Sequence, residues 1–154
     1  MWNGDGCERV TGRREYPDGP LVGVGGVVIV EGRALLIKRG GPPLQGEWSI
    51  PGGMLELGET LIEGVKRELQ EETGLTVRVG AMIEVFERIF RDAEGKVRYH
   101  FVIHDYLCQL ESGEARAASD VTDVAWVTSK ELGAYSLTPV ATRVLLRAFQ
   151  MAGH

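Results

Sequence analysis

The stretch Gly53–Leu75, GMLELGETLIEGVKRELQEETGL, contains most of the information about this chain's fold and chemistry. Its second half predicts a helix on which Glu68, Glu71 and Glu72 share one flank, because residues three and four apart are neighbours there. These carboxylates repel one another, and a like-charge pair four residues apart costs roughly a few tenths of a kcal/mol. A divalent cation reverses that repulsion, and oxygen ligands without His or Cys favour Mg²⁺ or Mn²⁺ over zinc.

The same stretch resembles the Nudix box, whose pattern is G-x5-E-x7-R-E-U-x-E-E-x-G-U with U an aliphatic residue. Every fixed position is matched, by Gly53, Glu59, Arg67, Glu68, Leu69, Glu71, Glu72, Gly74 and Leu75. The wider resemblance extends over most of the chain from about Pro20 onward. It implies a Nudix hydrolase, an enzyme that cleaves a nucleoside diphosphate linked to another group by using Mg²⁺ or Mn²⁺ and water.

The resemblance also implies roles for individual residues of the box. The expected metal ligands are the carbonyl oxygen of Gly53 and the side chains of Glu68, Glu71 and Glu72. The expected catalytic residues are Arg67, Glu68 and Glu71. Arg67 is expected to hold a glutamate in place by a bidentate pair, and Glu59 to brace the loop or to approach a metal through water. Gly64 is expected to leave room for metal or phosphate near the backbone.

The identity of the general base stays open from the sequence. It is either a box glutamate, Glu68 or Glu71, or a carboxylate of the polar loop at residues 113–123. The candidates in that loop are Glu114, Asp120 and Asp123, for which an ordinary acidic surface loop is the competing interpretation. No Ser/His/Asp or Cys/His arrangement is evident, so the sequence does not imply a covalent intermediate.

Other polar and aromatic residues have weaker functional interpretations. Lys38 and Arg39 end the second predicted strand near the loop before the box, where they either contact substrate phosphate or extend from the strand end to solvent. Trp48 is expected to pack beneath that loop. His100 and His104 lie on one face of a strand without acidic or Cys partners at ligand spacing, which indicates a structural role.

The order of predicted elements indicates an α+β fold in one domain. Residues 1–19 form an N-terminal segment with a candidate edge strand at Arg13–Tyr16, and residues 20–154 form the hydrolase domain. Thr60 is a candidate cap of the box helix, and Thr138 with Pro139 begins a closing helix. Strands in mixed order with two main helices predict α+β, and the resemblance narrows this to an α/β/α sandwich around a central mixed sheet.

Composition limits the partners and the surroundings of the chain. A formal net charge of −5 argues against a basic surface for duplex nucleic acid. The two cysteines, Cys7 and Cys108, suit a reducing cytoplasm without a structural disulfide. The leader has no apolar core of a signal peptide, and the apolar run Leu21–Val30 is too short for a membrane span. The expected partner is a small-molecule nucleotide, and a homodimer with a swapped N-terminal strand is compatible with the resemblance.

Two stretches beside the box favour one substrate class. YPDGPLVGVGGVVI at Tyr16–Ile29 and PPLQGEWSIPGG at Pro42–Gly53 are similar to those of small bacterial ADP-ribose pyrophosphatase-like members. This similarity implies a nucleotide sugar such as ADP-ribose as substrate. A nucleoside triphosphate pyrophosphatase that clears damaged nucleotides is the alternative. A non-catalytic nucleotide-sensing module is less favoured, because no acid of the box is lost.

Overall fold

A mixed β-sheet forms the middle layer of the structure, a computed structural model that describes residues 13–154. Its strands are β1 (Leu21–Val30), β2 (Arg33–Arg39), β3 (Trp48–Ser49), β4 (Gly52–Met54), β5 (Thr76–Arg91), β6 (Val97–Ser112) and β7 (Val121–Thr128). The helices are α1 (Leu61–Thr73) and α2 (Pro139–Met151), with a 3-10 turn at Ser129–Ala134. Strands and helices therefore occur in the mixed order that the sequence predicted.

The strand order is β3-β2-β1-β6-β5, with β4 paired to β1 and β7 paired to β2. The central pair β1 and β6 is parallel, whereas the other pairs are antiparallel, so the predicted mixed sheet is confirmed. In this register Gly25 of β1 lies between Gly52 of β4 and Asp105 of β6. On the far side, Asp105 pairs with Glu84 of β5. The register thus places the start of the box next to β6.

The two helices cover opposite faces of the sheet, which makes the predicted α/β/α sandwich. Val65 and Leu69 of α1 pack with strand residues into one core, whose strand members include Val24, Val28, Leu35 and Val77. Val144, Leu145 and Phe149 of α2 pack into a second core, whose strand members include Val27, Leu36, Ile83 and Val127. Burial of these apolar side chains on both faces is the main favourable term in folding.

Local signals set the ends of both helices as the sequence predicted. The N–H of Glu63 donates to Thr60 Oγ1 at 3.2 Å and the N–H of Thr60 donates to Glu63 Oε2 at 3.1 Å, which is a capping box. Gly74 ends α1 in the left-handed region at φ +75°, where a side chain is unfavourable. Thr138 caps α2 by accepting from the N–H of Ala141.

The candidate edge strand at Arg13–Tyr16 is wrong. Tyr16 has φ +51°, which interrupts an extended backbone, and Pro17 follows it without an N–H to donate. The segment instead lies across the β5–β6 hairpin, where the Tyr16 N–H donates to the Arg98 carbonyl and its hydroxyl donates to Asp92. Residues 1–12 lie outside the described part of the chain, so the division at residue 19 stays a prediction.

Two further expectations concern the cysteines and membranes. Cys108 is a buried free thiol in β6, and Cys7 lies outside the described residues. Within residues 13–154, neither helix has the length and apolar character that a membrane crossing requires.

Candidate functional site

Two buried glutamates of α1 meet the loop that carries Gly52 and Gly53. The side chains of Glu68 and Glu72 each belong to residues only 8% exposed. Burial and the neighbouring Glu68 carboxylate raise the pKa of Glu72, because two negative charges in a desolvated space oppose ionisation. The N–H of Gly52 donates to Glu72 Oε1 at 3.2 Å, and this hydrogen bond joins the loop directly to the helix.

The two glycines of this loop are required by close approach. A methyl group at Gly53 would lie 2.5 Å from Glu68 Oε1, and one at Gly52 would lie 2.2 Å from the Val24 carbonyl oxygen. Atoms at those separations overlap, so any other residue would displace either the loop or the glutamate. The glycines of the box therefore bring backbone oxygen atoms and carboxylates into one small space.

Arg67 joins the loop to the helix through five oxygen atoms. Its Nε and Nη2 donate to both carboxylate oxygens of Glu59, at 2.6 and 2.9 Å, and Nη2 also donates to the Met54 carbonyl at 2.9 Å. Its Nη1 donates to Glu68 at 2.9 Å and to Glu71 at 3.1 Å. The predicted bidentate partner is thus Glu59. These bonds raise the pKa of Arg67 and lower that of Glu59.

The expected ligands fit a hard divalent cation, although the three carboxylates are not equivalent. Glu68 and Glu72 are buried together beside the Gly53 backbone, and their mutual repulsion is the kind that a cation relieves. The Glu71 side chain is about half exposed and contacts Arg67. Within residues 13–154 no three Asp, Glu, His or Cys side chains converge into a complete ligand set. The site is therefore two buried carboxylates with a third beside them.

Gly64 does not provide the room near the backbone that the sequence suggested. A methyl group there would lie 2.7 Å from Leu55 Cδ1 and 3.2 Å from Val24 Cγ2. Gly64 thus allows the box loop and β1 to pack directly on α1, and the space that a side chain would occupy is filled by these apolar atoms and by Glu59 Oε1, at 3.1 Å. The prediction of room for metal or phosphate at this position is wrong.

An open pocket lies on the α2 side of the Gly52–Gly53 loop, which forms part of its wall. Its aromatic walls come from Trp48, Phe86, Phe90 and Phe101, and its cationic side chains are Arg14, Arg39 and Arg88. The start of α2 adds Thr138, Val140 and Ala141. The loop thus contacts the pocket through Gly52 and Gly53, and Gly53 also lies against the Glu68 carboxylate.

The structure separates the two candidate phosphate-binding residues. Arg39 lines the pocket, its Nε donates to the Pro43 carbonyl at 2.9 Å, and burial lowers its pKa. Lys38 is its neighbour on β2 and is not among the residues that line the pocket. The ladder between β2 and β7 is irregular between these two residues, and of the two only Arg39 borders the pocket. The geometry thus favours Arg39.

The acidic loop candidates for the general base have different surroundings. Glu114 borders a separate hollow beside Gly74 at the end of α1. Asp123 Oδ1 accepts from the N–H of the next residue at 2.8 Å. Asp120 is exposed, and its charge acts on Arg39 of the pocket. Asp120 is therefore the loop carboxylate that remains near the site.

A pocket residue that the sequence did not single out is Asp105. It is only 3% exposed, it lines the pocket, and within residues 13–154 no hydrogen-bond donor reaches its carboxylate. Burial and then the charge of Glu84 raise its pKa to about 7. The sequence feature that could have identified it is an acidic residue within an apolar strand. Asp105 lies two residues after Ile103 and four after Phe101, so the three share one face of the strand, and all line the pocket.

Replacing Asp105 by Asn is expected to stabilise the protein at pH 8 by roughly 1–3 kcal/mol, because the neutral amide avoids the cost of ionising a carboxyl whose pKa is raised by burial. The pKa of this carboxyl is raised in the folded protein, so the wild-type free energy of unfolding falls as pH rises from about 4 to about 7. Because the amide of Asn does not ionise, the stability that Asp105→Asn gains over the wild-type protein should shrink as pH is lowered.

Urea unfolding of Asp105→Asn at pH 8 and pH 5 measures this effect. Asp18→Asn is the control, because that side chain is 77% exposed. A loss of stability that is equal at both pH values would contradict the assignment of Asp105 as an unpartnered carboxylate.

Comparison with known proteins places these features in context. A sequence model of the NUDIX domain matches residues 19–148. An ADP-ribose pyrophosphatase from Methanocaldococcus jannaschii is 36% identical over 104 residues, which cover 68% of this chain and 59% of that protein. A MutT-like protein from Streptomyces ambofaciens is 37% identical over 125 residues, 80% of this chain and 74% of that one. This chain therefore spans less than two thirds of the archaeal relative's length.

A solved structure agrees with the architecture. The crystal structure of a MutT NUDIX hydrolase from Burkholderia pseudomallei superposes with a TM-score of 0.74 at 31% identity. The match covers 84% of this chain and 98% of that one.

Proposed function

Because the chain belongs to the NUDIX hydrolase family, we propose that it hydrolyses the pyrophosphate bond of nucleoside diphosphates linked to another group, with a divalent cation. The favoured substrate is a nucleotide sugar such as ADP-ribose, which would give AMP and a sugar phosphate. The observation that carries this proposal is the pair of buried, mutually repelling glutamates beside Gly53, which itself lines a pocket with cationic and aromatic side chains.

Glu68, Glu72 and the Gly53 carbonyl are the residues that would hold the cation, with Glu71 as the third carboxylate. Mg²⁺ or Mn²⁺ bound there supplies charge neutralisation at the phosphates and a more acidic water. Arg67 is a positioning residue in this proposal, because its bonds to Glu59 and Glu68 keep the loop and the helix in register. Arg39 is placed to contact a phosphate from the pocket side.

The proposed general base is one of two carboxylates with some exposure. Glu71 is half exposed beside the buried pair, so water reaches it more easily than it reaches Glu68. Asp120 is the alternative from the acidic loop, because its charge acts on Arg39. Proton removal by either carboxylate is general-base catalysis and needs the group within hydrogen-bond reach of the attacking water.

The substrate class draws support from the archaeal relative, which is an ADP-ribose pyrophosphatase. A second candidate is a nucleoside triphosphate, because the aromatic and cationic side chains that line the pocket would also suit its base and its phosphates. A nucleotide sugar needs contacts at both ends of its pyrophosphate. The remaining contacts would come from Arg14 and from the loop at residues 40–46, which supplies Pro43 and Leu44 to the pocket.

ADP-ribose is expected to have a kcat/KM at least about tenfold above that of any single triphosphate, a transition-state preference of ~1.4 kcal/mol. Binding energy from groups remote from the scissile bond appears in this ratio. Steady-state rates on ADP-ribose and on a panel of canonical and oxidised triphosphates, with the same cation, measure it. If a triphosphate gives the highest value, the triphosphate proposal replaces the nucleotide-sugar one and the cation site is unaffected.

A further inference from the structure

Asp105 is a buried carboxylate that lines the pocket. No hydrogen-bond donor of residues 13–154 reaches it. Its neighbours in the sheet are Gly25 and Glu84. A methyl group at Gly25 would lie 2.3 Å from Asp105 Oδ1, so the glycine is what allows this carboxylate to lie across β1. Glu84 is paired with Arg143 of α2, whereas no described cation pairs with Asp105. A buried charge without a partner costs stability, and such groups persist where a ligand uses them.

The pocket that Asp105 lines has room and suitable walls for a planar ring. Its volume is about 160 Å³, close to the ~150 Å³ of an engineered apolar cavity that accepts benzene. Phe86, Ile103 and Val140 line it together with Asp105. Aromatic and aliphatic walls with one polar group are the usual construction of a site that binds and orients a small ring.

Taking the proposed function as its premise, we propose that Asp105 is a specificity-determining residue that accepts a hydrogen bond from the exocyclic amino group of a bound 6-aminopurine. A carboxylate only accepts hydrogen bonds, so it selects a donor at that position. Adenine presents an amino donor at C6, whereas a 6-oxopurine such as hypoxanthine presents an acceptor oxygen. The oxo base would leave a buried charge facing a partial negative charge, which a site built to bind a donor rejects.

Phosphate and ribose are the other groups of a nucleotide that could face Asp105. A phosphate is repelled by a carboxylate, and the arginines of the pocket serve it better. The ribose hydroxyls are donors, so the test must separate sugar from base. AMP and IMP differ at C6 of the purine and have the same ribose and phosphate, which makes them the matched pair for this purpose.

Calorimetric titration of the full chain with AMP and with IMP at pH 8.5 tests the proposal without turnover. The wild-type protein is expected to bind AMP at least about tenfold more tightly than IMP, the lower range for one discriminating polar contact. Asp105→Asn should abolish or reverse that ratio, because the amide of Asn both donates and accepts. Asp18→Asn removes an exposed carboxylate and should keep the wild-type ratio.

Other outcomes overturn the proposal in distinguishable ways. If the ratio of the AMP and IMP dissociation constants is the same in Asp105→Asn as in the wild-type protein, base recognition by this residue is rejected. If Asp105→Asn weakens the binding of AMP and IMP equally, Asp105 contacts the ribose and the proposal is rejected. Failure of both nucleotides to bind the wild-type protein at millimolar concentration also rejects the proposal. Hydrolysis of ADP-ribose is assayed separately: if it is absent while the ratio depends on Asp105, the proposed reaction fails and base recognition stands.

Discussion

Glu72→Gln is expected to reduce kcat by about 10²-fold or more, the scale of removing one charge-stabilising element from an active site. Gln keeps the shape of the side chain and can still accept from the Gly52 N–H. Gln lacks the negative charge with which Glu72, beside Glu68, would hold the cation. Saturating turnover of ADP-ribose with excess Mg²⁺ measures the effect. Glu63→Gln on the same helix is the matched control, because Gln also serves at that position of a capping box.

The same variant is expected to gain thermal stability in the absence of metal. Burial and the charge of Glu68 raise the pKa of Glu72, so the ionised carboxylate costs stability that an uncharged amide does not. Lower activity with higher stability is typical of a residue retained for function. A Glu72→Gln protein with a normal kcat would exclude this glutamate as a cation ligand.

Excess EDTA is expected to abolish hydrolysis, and added Mg²⁺ or Mn²⁺ to restore it. The buried carboxylates repel one another, and the substrate phosphates add further negative charge that a divalent cation would neutralise. A second measurement does not depend on activity: Mg²⁺ should raise the melting temperature of the wild-type protein, by the equivalent of about 2.7 kcal/mol at one hundred times its Kd.

The control for this effect is Glu72→Gln, in which the Mg²⁺-dependent rise in melting temperature should be much smaller. Melting curves at several Mg²⁺ concentrations compare the two proteins directly. Full turnover in excess EDTA would refute the cation requirement, and an equal Mg²⁺ shift in both proteins would place the cation at another site.

Local features of the fold were predictable because they depend on neighbours in sequence. The capping box at Thr60, the left-handed Gly74 and the start of α2 at Thr138 each involve residues at most four positions apart. The edge strand at Arg13–Tyr16 failed, because the path of that segment follows from its contact with the distant hairpin residues Asp92 and Arg98.

The glutamate cluster was predictable in composition but not in detail. Helical periodicity placed Glu68, Glu71 and Glu72 on one flank, and the structure buries two of them and leaves the third half exposed. Which two are buried depends on where the Gly52–Gly53 loop lies, and that is a contact with β1 rather than a property of the helix. The position of the box loop also explains why Arg67 pairs with Glu59, eight residues away.

Spacing along single elements was enough to predict the α+β class, the box helix with its ends, and a flank of carboxylates suited to a cation. That Arg39 rather than Lys38 borders the pocket, and that Asp105 is buried there, depended on tertiary contacts. Strand register between β1, β4, β5 and β6 brings residues from distant parts of the chain together. Such pairing depends on contacts across the whole sheet, which no short window of sequence contains.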